Sequence, residues 1–440
     1  MGGRDSTDPY DSALPWPETP PTLTVRGALR RTFGSLDSYN YRVYFAGDLV
    51  SYIGSWMQTM AEAWLVWDLT ESGAAVGATF AFRFLPVLLF GLWGGVIADR
   101  FDRRKVMLVT QSLSAVLAVA LWLVVLTDVV QVWMVFALAV TLGLVTVVDE
   151  PAKHAFVEEM VGRERVPNAV ALSGAMRNSA RITGPALAGL LIGTVGVSLV
   201  FFVNALSFFA VVAALLAMRV SELHRVHQPT ARPRIREGLR YAWSLVDIRS
   251  TILLVFVVGT LVYNFPTFMT LMASEGFHGG AGLAGLLMAF LGVGTVIGGL
   301  TAAMWARSSA RMVIGAAAAL GTSLVVAAAL SSQVAFMIAL VPVGAMAVFF
   351  GTVANSHMQI SSALSLRGRV MAIYTLLTLG TTVAGGPFVG WICQQWSPRT
   401  GLAVAGVATL TAAVLLSLPL AGRLRTPVAE PVSPSLAVGD

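Results

Sequence analysis

Roughly 20 consecutive apolar residues are enough to cross the hydrocarbon core of a bilayer as a helix, and this sequence is built from such runs almost end to end. Twelve are readable, at about 43–67, 75–98, 105–127, 130–149, 168–193, 196–218, 250–273, 281–305, 311–330, 333–356, 368–393 and 400–421. Lipid offers no partner for an unpaired backbone N–H or C=O, so runs of this kind close their hydrogen bonds within helices. Composition points the same way. Of 440 residues, 56% are hydrophobic and 12% charged, and that charged share is about half of what a soluble chain uses to coat its surface. A soluble globule, a disordered chain and a secreted disulfide scaffold are excluded. The expected fold class is an all-α membrane protein of twelve transmembrane helices.

Orientation follows from lysine and arginine, which favour cytoplasmic loops. With the N-terminus inside, 25 of the 29 fall on the inner side, Arg399 alone on the outer side, and Arg83, Arg177 and Arg181 within spans. Both termini are therefore expected in the cytoplasm. The same bias accounts for a net charge of +6 without invoking nucleic acid. The single cysteine, Cys393, excludes an internal disulfide, and no two of the five histidines stand at a zinc-binding helical spacing. Neither a metal nor a cofactor is expected.

The expected organisation is a disordered cytoplasmic tail (1–42), a six-helix bundle (43–218), a cytoplasmic linker (219–249), a second six-helix bundle (250–421) and a disordered tail (422–440). In the linker, Ile235, Leu239, Trp243 and Leu245 recur near helical spacing among arginines, the pattern of a helix lying on the inner leaflet; a solvated linker is the alternative. The halves also repeat. GPALAG (Gly184–Gly189) in the fifth run matches GPFVG (Gly386–Gly390) in the eleventh, 202 residues later. Gly184, Pro185, Gly189, Gly386, Pro387 and Gly390 are expected to serve helix packing, since proline frees a backbone carbonyl and glycine permits close approach. Parallel repeats of six helices are a way of placing a substrate site between two rocking bundles.

The loop between the second and third runs reads GGVIADRFDRRK. It resembles the signature loop of the major facilitator superfamily, Gly-x-x-x-Asp-Arg-x-Gly-Arg-Arg-Lys, with Asp102 where that pattern has glycine. GSWMQTMAEAWLVWDLTES (54–72), DEPAKHAFVEEMV (149–161) and NAVALSGAMRNSARITGPALAG (168–189) resemble the branch that includes the enterobactin exporter, the transmembrane secretion effectors. The likeness covers about 40–425. It implies a twelve-helix transporter that alternates between inward- and outward-open states, mostly proton-driven exporters of drugs or siderophores. The corresponding loop of the second half, GGLTAAMWARSSAR, keeps Arg307 and Arg311 but has Ala303 in the acidic position. In the antiporters of the superfamily a Gly-Pro motif on the fifth helix seals the interface between half-bundles; here Ala180 replaces one glycine of its longer form.

Ionisable groups inside spans are costly and are functional candidates by default. Here they are Asp48 and Glu62 in the first run, Arg83 in the second, and Arg177 and Arg181 in the fifth. At 100° per residue Asp48, Ser51, Ser55, Thr59 and Glu62 share one face, so the first helix is expected to line a wet cavity. Glu62 and Arg83 sit at similar depths, about 7 and 12 Å below the outer ends of their runs. They form either a proton-coupling pair that breaks and re-forms or a permanent structural one; Asp48 is a second carrier candidate. Arg177 and Arg181, four residues apart, either pair with Asp48 or Asp149 or offer positive charge to an anionic substrate. A cytoplasmic gate is expected from Gly95, Asp99, Arg100, Arg103 and Arg104, with Asp149 joining its charge network; a purely topogenic basic loop is the alternative. The second half contributes only polar candidates, Asn264, Asn355 and Gln359.

These readings converge on a proton-coupled exporter of a small amphipathic compound (drug, siderophore or secondary metabolite), monomeric, in the inner membrane of a bacterium, with protons, a small-molecule substrate and lipid as its partners. An importer or a flippase for a lipid-like substrate keeps the same fold. A non-transporting scaffold or receptor is the rival of another class. A membrane-embedded enzyme lacks a catalytic dyad or metal cluster within the spans.

Overall fold

The computed structural model describes residues 33–224, 235–304, 308–363 and 366–422. Most of both expected tails, and Arg307, lie outside them. The first half is α1 (Tyr39–Thr70), α2 (Gly73–Arg100), α3 (Arg103–Leu126), α4 (Val132–Val161), α5 (Val166–Thr194) and α6 (Val197–Ala217). A short helix, α7 (Ile235–Ser244), precedes the second half: α8 (Val246–Leu261), α9 (Phe265–Leu271), α10 (Ala281–Met304), α11 (Ala310–Ala329), α12 (Gln333–Ser361), α13 (Arg367–Gln395) and α14 (Pro398–Gly422).

Ten helical segments among the described residues are long and apolar enough to cross a membrane, the α8–α9 run Val246–Gly276 counting as one. Two long helices are not among them, α1 at 32 residues and α5 at 29. Length does not separate them from the rest; polarity does. α1 carries Asp48, Ser51, Ser55, Gln58, Thr59 and Glu62, and α5 carries Arg177, Asn178 and Arg181. The two helices too polar for lipid by composition are thus those bearing most of the candidate site, and they need neighbours on the polar side.

Two boundaries differ from expectation for an identifiable reason. The fourth run, read as ending at 149 beside Pro151, continues through that proline to Val161. A membrane helix tolerates an internal proline when neighbours re-satisfy the freed carbonyl, and the extension brings Lys153 into the helix rather than a loop. The seventh run is broken between α8 and α9, with Pro266 in the first turn of α9, and it leaves through a π turn, Met272–Gly276. In the linker, α7 is helical; Trp243 is 49% exposed while Ala242 is fully buried, and Tyr241 Oη accepts from the Ala363 N–H at 3.0 Å.

Glycine sets how the halves meet. A Cβ on Gly386 would stand 2.5 Å from the Gly77 carbonyl oxygen, and one on Gly189 would stand 2.8 Å from Gly285 Cα. The two Gly-Pro motifs therefore make equivalent crossings into the opposite half, α13 on α2 and α5 on α10. Their partners Gly73, Gly77 and Gly285 are equally indispensable and were not singled out from the sequence. A hydrogen bond between the halves, Ser72 Oγ to Gln394 Oε1 at 3.1 Å, lies at the same end. Further along, Ile182 meets Gly292 and Leu88 meets Gly380 near the helix midpoints. These crossings and the Ser72–Gln394 bond all lie at that end or near the helix midpoints, so the seal between the halves is at the end opposite the arginine-rich loops.

Candidate functional site: two buried charge clusters and an arginine pair

Gly54 explains how α1 acquires its first cluster. A Cβ there would stand 2.5 Å from Ser207 Oγ and 2.6 Å from Asn204 Oδ1, so only glycine lets α6 come this close. The approach delivers two buried polar side chains to α1. Ser207 Oγ stands 3.0 Å from Asn204 Oδ1, Asn204 Nδ2 donates to Gln58 Oε1, and Gln58 Nε2 donates to Glu62 Oε1 at 2.5 Å. The other carboxylate oxygen, Oε2, stands 3.5 Å from an Arg83 guanidinium nitrogen. That contact is electrostatic only, and both atoms lack a hydrogen-bond partner. Arg83 keeps 20% of its side chain accessible while Glu62 keeps 4%, so the chain runs from the α1/α6 contact to a partly accessible cation on α2.

Gln58, Asn204 and Ser207 were missed by sequence reading. Gln58 was within reach of it, since it falls only about 20° beyond Ser51 on the helical wheel. Asn204 and Ser207 belong to an otherwise apolar run whose orientation no periodicity fixed. The polar stripe itself needs correction as a cavity lining. Asp48, Ser51 and Glu62 are buried, and only Ser55 and Thr59 are partly accessible, with Thr59 Oγ1 turned back on the Ser55 carbonyl at 2.8 Å. A stripe facing α4 and α6 is as polar as one facing water, because burial is decided by what packs opposite.

The second cluster lies about two and a half turns from the start of α1. Lys153 Nζ is 2.9 Å from Asp149 Oδ2 and 3.9 Å from Asp48 Oδ1, and it lies over the Tyr52 ring at 5.4 Å. Asp149 Oδ1 also accepts from Thr110 Oγ1 at 2.6 Å and Gln111 Nε2 at 2.9 Å. Asp149, expected in the gate network, is thus the centre of a buried α1/α3/α4 junction. Its cation is Lys153, not Arg177 or Arg181. The i,i+4 spacing of Asp149 and Lys153 is the signal that could have found it.

Arg177 and Arg181 form no ion pair among the described residues. Of the two alternatives read from the sequence, pairing with Asp48 or Asp149 is not made: both carboxylates are ion-paired with Lys153. Arg181 instead sets its guanidinium over the Trp56 ring at 5.1 Å, held in place because Gly184, one turn on, lets α5 close onto Trp56 Cβ.

At the basic end Asp99 closes α2 and is 39% accessible, 3.7 Å from Arg103. Arg103 in turn makes a 2.8 Å ion pair with Glu159 on α4, and Arg104 Nε donates to the Leu215 carbonyl at the end of α6 at 2.8 Å. Asp102, where the superfamily pattern has glycine, caps α3 by accepting from the Lys105 N–H at 3.1 Å. Arg100 is exposed, and Gly95 makes no close contact; it is Gly94 whose Cβ would collide with the Val147 carbonyl on α4. In the second half, Gln359 Nε2 donates to Asn355 Oδ1 at 2.6 Å, toward the basic end. Asn264 is buried at the α8/α9 break, donating to the Thr260 carbonyl at 2.8 Å.

Long apolar helices that cross at paired glycines, with charges buried between them, describe a multi-pass membrane protein. The chain matches the transmembrane secretion effector family over residues 31–434 and belongs to that family of the major facilitator superfamily. Among its relatives is the multidrug efflux pump Tap of Mycobacterium tuberculosis, 28% identical over 77% of this chain and 84% of Tap. An MFS-type transporter of Bacillus subtilis, YfiS, is 28% identical over 60% of this chain, and the staphyloferrin A transporter of Staphylococcus aureus is 19% identical over 58%. The chain spans 62% and 65% of the length of these last two. The fold is also that of a bacterial homolog to the human lysosomal transporter Spinster, with a TM-score of 0.68 at 14% identity over 90% of this chain and 99% of that one. The nucleoside transporter NupG gives 0.66 at 12% identity over 86% and 99%.

Proposed function

We propose that this multi-pass membrane protein is a twelve-span, proton-coupled exporter of small amphipathic compounds, with its basic end in the cytoplasm of a bacterial cell. The distribution of lysine and arginine supports that orientation, and with it the seal between the halves lies on the outer side, so that the cleft between them faces the cytoplasm to receive cargo from inside. Relatives named as efflux proteins, Tap and the macrolide efflux protein A of Streptococcus pyogenes, favour export over import.

The observation that carries the reading is Glu62. It is a buried carboxylate whose only ion-paired cation among the described residues, Arg83, stands at 3.5 Å and makes no hydrogen bond to it. A permanent structural pair in a low-dielectric interior is stable only with close geometry and satisfied lone pairs. An electrostatic contact with orphaned atoms on both sides is the arrangement of a pair that exchanges partners. Protonation of Glu62 removes the attraction and frees Arg83 toward the cleft; deprotonation restores it. Gln58, Asn204 and Ser207 pass the change to α6, so the proton is coupled to how α1 sits in its bundle. Asp99 is exposed and, among the described residues, ion-paired only with Arg103 of its own loop region, which leaves it free to engage the second half in the opposite state.

The test is efflux of a dye and drug panel from a pump-deleted bacterium expressing wild type or Glu62→Gln, with and without a protonophore. Export abolished by both the substitution and the protonophore supports coupling through Glu62. Export that survives Glu62→Gln but not the protonophore moves the proton site to the Asp48–Lys153–Asp149 cluster. Accumulation instead of efflux reverses the direction.

A further inference from the structure

Two guanidiniums of α5 make no ion pair among the described residues. An arginine inside a bilayer costs several kcal/mol unless it is paired or solvated, so each intramembrane arginine in a settled fold has a reason to be there. Arg83 has Glu62. Arg177 and Arg181 have no ion-pair partner among the described residues: Asp149 and Asp48 are ion-paired with Lys153, and Arg177 is only within electrostatic reach of Asp48. The second half has few to supply. Between Asp247, at the start of α8, and Glu430 the chain contains a single acidic residue, Glu275, in the π turn at the end where the halves are closed. From α8 to α14 the acidic residues are thus Asp247 and Glu275 alone.

Their placement is that of a binding site. Arg181 lies 15 residues into α5, about 22 Å along a helix of 29 residues, near its midpoint, and Arg177 is one turn closer to the basic end. Both are partly accessible. Arg181 is parked on the face of Trp56, which fixes a planar, five-donor fork beside an aromatic surface. Tyr263, from the second half, lies within electrostatic reach of Arg181, so this point is where the two halves face each other.

We propose that Arg177, Arg181 and Trp56 form the cargo site, and that the cargo is an organic anion carrying a flat ring system. The acidic group bridges the two guanidiniums, and the ring stacks against Trp56. This deepens the reading of the chain as a transporter and rests on it for the identity of the bound molecule as cargo. A cationic cargo at this point would meet two guanidiniums that no carboxylate ion-pairs among the described residues.

Binding is measured on purified full-length protein in lipid nanodiscs by equilibrium dialysis against two xanthene dyes of the same ring shape and opposite charge, fluorescein and rhodamine 123. Wild type binds fluorescein at least about 10-fold more tightly than rhodamine 123, the discrimination of one charge-assisted hydrogen bond. R181Q and R177Q each weaken fluorescein about 10-fold and leave rhodamine 123 unchanged or tighter, which also shows that the variants are folded. R181K keeps the preference for the anion, at reduced affinity, because it retains the charge and loses the fork. Tighter binding of rhodamine 123 by wild type, binding of neither dye, or arginine variants that bind fluorescein as wild type does overturns the site. Inverted vesicles separate this from the transport reading: proton-driven uptake of rhodamine 123 but not fluorescein sinks the anion site and leaves the exporter standing. Fluorescein binding without proton-driven movement keeps the site and sinks the coupling.

Discussion

Lys153 offers the sharpest test of how the first bundle is held together. Among the described residues its ammonium is the only cation ion-paired with two buried carboxylates, with side-chain accessibilities of 15% for Lys153, 6% for Asp48 and 9% for Asp149. Lys153→Met keeps the aliphatic stem and deletes the charge. Taking one partner from a buried pair costs about 3–5 kcal/mol, because the remaining charge is left uncompensated. The two carboxylates are not equally exposed to that loss. Asp149 retains Thr110 and Gln111 as donors, whereas Asp48 Oδ1 has no hydrogen-bond partner. The orphan is therefore Asp48, and Asp48→Asn added to Lys153→Met is expected to recover about 2 kcal/mol. The assay is equilibrium unfolding in mild detergent titrated with SDS, followed by tryptophan fluorescence, on wild type, both single variants and the double variant. If Lys153→Met costs less than about 1 kcal/mol, or if the two substitutions simply add, the cluster is not the closed junction described above.

Two further outcomes follow from the same geometry. Gly77→Val places a side chain against the Gly386 carbonyl and is expected to force the closed end apart, populating the opposite state; electron–electron distances between spin labels at the α1–α2 and α13–α14 turns should lengthen, and unchanged distances would count against the glycine crossing as the seal. Gln58→Leu strands Asn204 and one oxygen of Glu62, for an expected loss of about 1–3 kcal/mol in the same unfolding assay, together with weakened proton dependence of efflux; a variant with wild-type stability and coupling would remove Gln58 from the relay.

Much of the architecture was legible in the sequence because a bilayer imposes a one-dimensional rule. An apolar run of sufficient length must be a helix, and its flanking arginines bias its direction. The Gly-Pro repeats and the loop around Asp99 were readable for the same reason: they are local patterns with local geometry. Where the one-dimensional rule weakened, so did the reading. Pro151 looked like a terminus because proline usually ends helices in water, and that misplaced Lys153.

The sequence by itself determined that the chain lives in lipid, that its charges are few and concentrated in the first half, and that it repeats in two halves. These depend on composition and spacing along the chain. Only the tertiary structure decided which charge meets which. Asp48 and Glu62 share a helical face, yet one pairs with Lys153 on α4 and the other with Arg83 on α2, while Arg177 and Arg181 pair with neither. Partner choice is a matter of which helices cross at which depth, and that is set by where glycine lets two backbones approach. Gly54 brings Asn204 and Ser207 onto α1, and Gly184 brings Arg181 onto Trp56. Coulomb attraction falls off with distance and medium, so a few ångströms of helix approach separate a committed carboxylate from an arginine that makes no ion pair among the described residues.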